Sequence, residues 1–204
     1  MKDMMSITET EVSKMNKPLY LFVGRSASGK TTIANMLEEK YGYKQVFSYC
    51  TRKPRYDGEI GHIFISDAEF DNLGELAAYT EYNGHRYGTT VEQLEECSIY
   101  VIDIPGVETL FKKNLDRPII IIYFNTTVHT RILRMMERHD NESAIISRLL
   151  QDEQYDWFDK LDEIVWKQKH LYGTNVCLYE VYADDDIQYV MKRVMFYING
   201  DEEG

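Results

Sequence analysis

The stretch GRSASGKTT, residues 24–32, follows the apolar run PLYLFV (18–23) and precedes IANMLEEKYG (33–42). The run before it is short, apolar and ended by glycine, which predicts a buried strand. After it, Ile33, Met36, Leu37 and Tyr41 recur at helical spacing, and Gly42 supplies the stop. Between a strand and a helix, the spacing Gly24-x4-Gly29-Lys30-Thr31 is that of a phosphate-binding loop. Its small residues let backbone N–H groups turn inward around an anion, and the helix N-terminus adds partial positive charge. The pattern assigns Gly24, Ser26, Ala27, Ser28, Gly29, Lys30, Thr31 and Thr32 to the cradle of a nucleotide's phosphates. Lys30 would reach the transferring phosphate and Thr31 would offer its hydroxyl to Mg²⁺. A merely flexible linker has no need of Lys-Thr at a helix start.

Outward from the loop, KQVFSYC (44–50) reads as a second strand and TRKPRYDGEIG as a polar loop. HIFIS leads into Ser66-Asp67-Ala68-Glu69, a capping box that starts a short helix. AAYTEY and HRYG flank Asn83-Gly84, a strong hairpin signal, so residues 48–92 form a small, partly β insertion. IYVIDI (99–104) and RPIIIIYFN (117–125) have the two-sided apolar character of parallel strands covered by helices. Asp103 falls at the end of the former, at the carboxyl edge of the sheet, where doubly wound proteins bind ligands. Helical patterns follow over 127–139 and from about 142 to 169, the second placing Ile146, Leu149, Leu150, Trp157, Leu161, Ile164 and Val165 in the core. CLYEVYA (177–183) is the last strand, and the last helix turns Ile187, Val190, Met191, Val194 and Ile198 to one face. Strands alternating with helices predict an α/β fold with a parallel sheet.

With 204 residues, 44% hydrophobic and 28% charged, the chain has the make-up of one globular domain. No apolar stretch approaches the ~20 residues of a membrane span, and the N-terminus lacks the apolar core of a signal peptide. Cys50, Cys97 and Cys177 are an odd count with no metal-like spacing, as expected of reduced, buried thiols in a cytoplasm. The net charge of -11 excludes a broad nucleic-acid surface. Of ten arginines, however, Arg131, Arg134, Arg138 and Arg148 fall close together, and Arg52 and Arg55 form another pair. Local arginine clusters in an acidic chain suit a small polyanion gripped at one place. Spacing puts Arg131, Arg134 and Arg138 along one helical face, which spacing alone reads as a solvated basic face.

After the loop come SYCTRKPR (48–55), HIFIS followed by Phe70, EYNGHRYGTT (81–90), DIPGV (103–107) and RILRMMER (131–138), with Arg148 ten residues further on. In order and near-spacing this series resembles the guanylate kinases, from about residue 19 to 190. The resemblance implies a three-layer parallel-sheet P-loop kinase core, a small, partly β nucleoside monophosphate-binding insertion and a helical lid. It divides a single domain, 18–200, into a core (18–47, 93–125, 150–200), an acceptor region (48–92) and a lid (126–149). Residues 1–17 are then a loose extension and 201–204 an acidic tail. It implies transfer of a phosphoryl group from ATP, with Mg²⁺, to the phosphate of GMP, dGMP or a related nucleoside monophosphate. Carried over by position, Ser48, Arg52, Arg55 and Tyr87 hold the acceptor phosphate, and Thr89 contacts the guanine edge. Arg134, Arg138 and Arg148, with Lys30, serve the transfer, since a planar guanidinium fork can donate twice to one phosphate. Asp103 either organises Mg²⁺ through water or accepts from the base.

The chain departs from the family at several places. The glutamate that accepts from guanine N–H groups falls at residue 78, which is alanine, and Glu75 and Glu81 do not inherit its place. His62 replaces a tyrosine at the acceptor phosphate, where it donates more strongly when charged, giving the site a pH dependence. The segment from Thr89 to Asp103 is about six residues shorter than usual, and Ala183-Asp184 stands where the family often has Asn-Asp. Two alternatives therefore stay open: a sugar-phosphate kinase of the ribose bisphosphokinase type, and a non-catalytic guanylate-kinase-like binding module. The latter typically lacks the lysine and arginines that this chain retains as Lys30, Arg134, Arg138 and Arg148. The partners implied are small molecules, with no nucleic acid and no membrane.

Overall fold

The structure is a computed structural model and describes residues 17–200, apart from 56, 114 and 155. The expected extension, up to residue 16, and the tail 201–204 lie outside the described residues. Two four-stranded sheets organise it. The first is parallel, with order β6-β1-β7-β8: β1 (Leu19–Val23), β6 (Ile99–Val101), β7 (Ile119–Asn125) and β8 (Val176–Tyr182). The second has order β3-β2-β5-β4: β2 (Ser48–Cys50), β3 (His62–Phe64), β4 (Leu76–Tyr82) and β5 (His85–Thr90). There only β2 and β3 run parallel.

Strand alternation builds the layers. Leu19, Leu21 and Val23 of β1, with Ile119, Ile121 and Tyr123 of β7, pack on one face of the parallel sheet. They meet α4 (Ile104–Phe111) and α7 (Trp157–Tyr172) through Val107, Leu110, Trp157 and Leu161. Tyr20, Phe22, Ile122 and Phe124 face the opposite way, onto α1 (Lys30–Tyr41) and α8 (Ile187–Asn199). Both faces are dry, so β1 and β7 read as unbroken apolar runs rather than alternating ones. Each of these fully buried side chains contributes about 1.5–3 kcal/mol of hydrophobic stabilisation. The result is the expected three-layer α/β core. The other described helices are α2 (Asp67–Asp71), α3 (Val91–Glu96), α5 (Val128–Glu137) and α6 (Glu142–Asp152), and the segment expected as a lid holds α5 and most of α6. None of the described helices is long and apolar enough to cross a membrane.

Several expectations are corrected. The helix read over 142–169 is two, because Asp156 caps a new one by accepting from the amides of Phe158 and Asp159. Continuing one period across that break misplaced two side chains: Ile146 and Leu150 are 49% and 71% exposed. Leu149 is half-buried, while Trp157, Leu161, Ile164 and Val165 do lie in the core. In KQVFSYC only Ser48–Cys50 is strand, with Gln45 bridging to Ile99. IYVIDI stops as a strand at Val101, since Asp103 caps α4 by accepting from the Gly106 amide. Tyr41 and Ile187 are exposed at the helix ends. The three thiols are free, but only Cys50 is fully buried.

Candidate active site

The phosphate loop turns directly out of β1. A Cβ at Gly24 would lie 2.7 Å from the Phe124 carbonyl oxygen and 2.9 Å from Ser28 Oγ, so only glycine fits. Gly29, at φ 96°, caps α1 without any side-chain hydrogen bond. The seven other described helices are each capped by a side chain, from Ser66, Thr90, Asp103, Thr127, Asn141, Asp156 and Asp186. The first amides of α1 are thus left to an anion, and Ala27 at φ 60° carries strain of the sort stored at functional loops. Lys30 turns back on the loop and donates from Nζ to Gly24 O (2.6 Å), Arg25 O (2.9 Å) and Ser28 Oγ (3.1 Å). Burial lowers its pKa to about 8; the Asp152 carboxylate works against that shift, and Arg131 adds to it. Thr31 and Thr32 are exposed in the first turn of α1.

On the second sheet, the register places Ser48 beside His62 on β2 and β3, and Ser48 Oγ lies 3.0 Å from His62 Nδ1. Tyr87 of β5 meets the same ring edge-on, with centroids 5.4 Å apart. Burial, then the nearby Arg52 cation, drops the His62 pKa to about 4, so the ring is neutral near pH 7. The pH dependence expected from a charged His62 therefore does not belong to the unliganded site. Burial, together with Cys50, pushes the Tyr87 hydroxyl up to about 12. Sequence reading missed Glu59. Arg52 grips its carboxylate with both terminal nitrogens (2.8 and 2.6 Å), and Arg55 donates to it from its amide (2.7 Å) and guanidinium (3.3 Å). Burial resists ionisation of Glu59, but these donors outweigh it and hold the pKa at about 2. The i, i+4 spacing of Arg55 and Glu59 was the available signal.

Deeper in, the base-reading expectation changes. Thr89 is fully buried and its hydroxyl donates to the Tyr100 hydroxyl at 2.7 Å, so that side chain turns to the core rather than to a ligand. Ala78, its partner across β4 and β5, is also buried. Thr80 donates to Asp103 Oδ2 (3.0 Å) while the Gly106 amide donates to Oδ1 (2.9 Å). Burial raises the Asp103 pKa despite these bonds.

The arginines expected to act together divide. Arg134 lies against the loop, donating to Ala27 O (3.3 Å) and to Ala183 O (2.6 Å). Arg138 and Arg148 share the Asp140 carboxylate at the turn between α5 and α6. Arg131 leaves the expected basic face: it is 1% exposed and pairs at 2.6 Å with Asp152, itself 2% exposed. Asp152 Oδ2 also accepts from the Ser26 amide at 2.9 Å.

One cleft is lined by Gly24, Ser26, Lys30, Ser48, Arg55, His62, Tyr87 and Asp103. A second opening, on the far side of the loop, is lined by residues 27–33 together with Arg134, Arg138 and Ala183. Lys30 borders both openings, an arrangement that would suit transfer between two phosphates.

No family model matches the chain. A guanylate kinase of Geobacter metallireducens is 32% identical over 143 residues, 64% of this chain and 70% of that protein. The chain belongs to the guanylate kinase family. A guanylate kinase of Lactobacillus acidophilus is 29% identical over 161 residues, 68% of this chain and 78% of that one. The crystal structure of guanylate kinase from Anaplasma phagocytophilum matches in fold, with a TM-score of 0.50 at 15% identity, over 93% of this chain and 88% of that one. Among the described residues no group of three or more His, Cys, Asp or Glu could hold a metal ion. A hydroxyl at Thr31 and one engaged carboxylate at Asp103 suit Mg²⁺ that arrives on nucleotide phosphates and keeps most of its water.

Proposed function

We propose that the protein is an ATP-dependent nucleoside monophosphate kinase, moving the ATP γ-phosphoryl group to the phosphate of GMP or dGMP. The observation that carries this reading is that the phosphate loop and the acceptor arginine border the same cleft. Two polyanions repel, so the first task of the site is to make their approach tolerable. Gly24, Ser26, Ala27, Ser28, Gly29, Lys30, Thr31 and Thr32 hold the ATP phosphates, with the uncapped α1 amides and Lys30 Nζ as donors. For Lys30 this means exchanging its present carbonyl partners for phosphate oxygens, which keep it cationic. Ser48, Arg52, Arg55, His62 and Tyr87 hold the acceptor phosphate. Arg134, Arg138 and Arg148 meet the charge that develops on the transferring oxygens, and their approach excludes water that would otherwise hydrolyse ATP. Thr31, with Asp103 through water, would hold Mg²⁺, which when bound neutralises charge on the phosphates. The free thiols and the absence of a dense basic surface support a cytoplasmic enzyme acting on small molecules.

The test is a phosphoryl-transfer screen with ATP and Mg²⁺ across ribo- and deoxyribonucleoside monophosphates and sugar phosphates. GMP or dGMP is expected to give the highest kcat/KM; transfer only to sugar phosphates, or to nothing, defeats the reading. Lys30→Ala should abolish nearly all transfer, and retention of more than about a tenth of the activity removes Lys30 from the chemistry.

A further inference from the structure

We infer that Asp152, held by Arg131, is a positioning residue for the phosphate loop: its carboxylate fixes the start of the loop against the α5–α6 pair that carries the transfer arginines. This inference rests on the phosphoryl-transfer reading above. The loop's second and third residues are fastened to one point at the end of α6. Asp152 accepts from the Ser26 amide (2.9 Å) through Oδ2, from Ser26 Oγ (3.4 Å) through Oδ1, and from Arg25 Nε (3.3 Å) through its main-chain oxygen. The Trp157 indole N–H donates to that same main-chain oxygen at 2.9 Å, so the start of α7 is part of the fastening.

The other side of the carboxylate is equally committed. Arg131 Nη1 donates to Oδ2 at 2.6 Å, and Arg131 Nη2 approaches Glu153 at 3.5 Å. Arg131 lies one turn before Arg134 on α5, and Asp152 lies one turn after Arg148 on α6. The ion pair thus closes the base of the very hairpin whose outer turn bears Arg138 and Asp140, the carboxylate that Arg148 also reaches. Two charges at 1% and 3% side-chain exposure are costly to desolvate, and apolar residues would hold two helices together as well. What apolar residues cannot supply is an acceptor for the Ser26 amide. Arg25 O, one atom group away, is in turn an acceptor for Lys30, so a shift of residues 25–26 displaces the lysine's cradle directly.

The decisive variant is Arg131→Met combined with Asp152→Leu, which removes both charges and keeps the packing. Its melting temperature should equal or exceed that of the wild type. ATP, measured by equilibrium titration, should bind about tenfold more weakly, and turnover should fall by about tenfold or more, with KM for GMP within about threefold. A stable double variant that binds ATP and turns over like the wild type overturns the inference. A second pair, Arg131→Met with Asp152→Asn, keeps an acceptor oxygen for Ser26 without leaving Arg131 charged, buried and unpaired, and should recover part of the ATP affinity. It also decides the matter if the first pair does not fold. Because ATP binding is read directly, absence of transfer to any acceptor in the wild type would defeat the functional reading alone.

Discussion

Two arginine clusters are each assembled around one carboxylate. On the acceptor side Arg52 and Arg55 close on Glu59; at the α5–α6 turn Arg138 and Arg148 close on Asp140. Like charges that on the proposed function converge on a phosphate are thus kept together beforehand by a built-in anion. The clusters differ in their contact with water. The Arg52–Glu59 pair is at 8% and 5% side-chain exposure, with the guanidinium stacked 5.0 Å from the Phe64 centroid. Each cluster also has a wetter arginine, Arg55 at 41% and Arg138 at 48%, but at the turn even the nearly buried pair, Arg148 with Asp140, stands at 12% on both sides. A buried pair holds its geometry whether or not ligand is present; a wet pair costs little to open. The Arg52–Glu59 pair is therefore the fixed element of its cluster, and on the proposed function Arg138, the wetter of the two turn arginines, is the one free to move to an incoming phosphate.

The largest effect should come from breaking the fixed cluster. Glu59→Gln leaves Arg52 charged and nearly buried without its partner, which should destabilise the free protein by about 3–5 kcal/mol. In thermal unfolding, inorganic phosphate should raise the melting temperature of this variant more than that of the wild type, because it supplies the missing anion. An unchanged melting temperature would show that the cluster is not held by this pair. Next, Arg138→Ala should leave the melting temperature nearly unchanged and lower kcat by about 10²–10³ with a much smaller change in KM, the mark of a donor used at the transition state. A rise in KM alone would make Arg138 a ground-state contact and erase the contrast between the clusters.

How far these clusters were legible depends on how local their causes are. The loop is set by consecutive residues between a strand and a helix, so GRSASGKTT carried its own context, including the glycine that caps α1. Glu59 sits in a polar loop without periodicity; only its distance of four from Arg55 hinted at a partner. The Arg131–Asp152 pair spans 21 residues across a turn, and Arg131 shares its helical face with arginines that stay near the surface. Periodicity gives the face, but depth along the helix decides between a core ion pair and a ligand contact. The Thr89 hydroxyl bond was hidden for a similar reason: its partner, Tyr100, comes from another sheet.

A pH titration sharpens the comparison, because the fixed cluster has two groups with displaced protonation. His62 has its pKa lowered from 6.5 to about 4, first by burial. Unfolded chains bind that proton as pH falls below 6.5, whereas the folded protein resists until about 4, so stability declines across that window. Discounting for partial exposure, the loss should be about 2 kcal/mol. Glu59, lowered from 4.5 to about 2, extends the decline into the next window, its stabilisation being full above 4.5 and lost toward 2. His62→Phe should flatten the first window of unfolding free energy and leave the second; equal slopes in both proteins between pH 6.5 and 4 would exclude His62 as the cause.

The smallest effect is expected where the turn cluster is cut. Asp140→Asn removes the shared carboxylate of Arg138 and Arg148 while keeping shape and an acceptor oxygen. Since Arg138 is half in water, its pair should contribute less than about 1 kcal/mol, and unfolding should shift by no more than about 2–4 °C. Arg148, at 12% exposure, sets the upper end of that range. Freed of their internal anion, both guanidiniums are available to phosphate, so KM for ATP should stay level or fall. If Asp140→Asn instead destabilises the protein as much as Glu59→Gln, the turn is as rigid as the acceptor site. Closure would then have to come from movement of the whole α5–α6 pair about the buried Arg131–Asp152 contact.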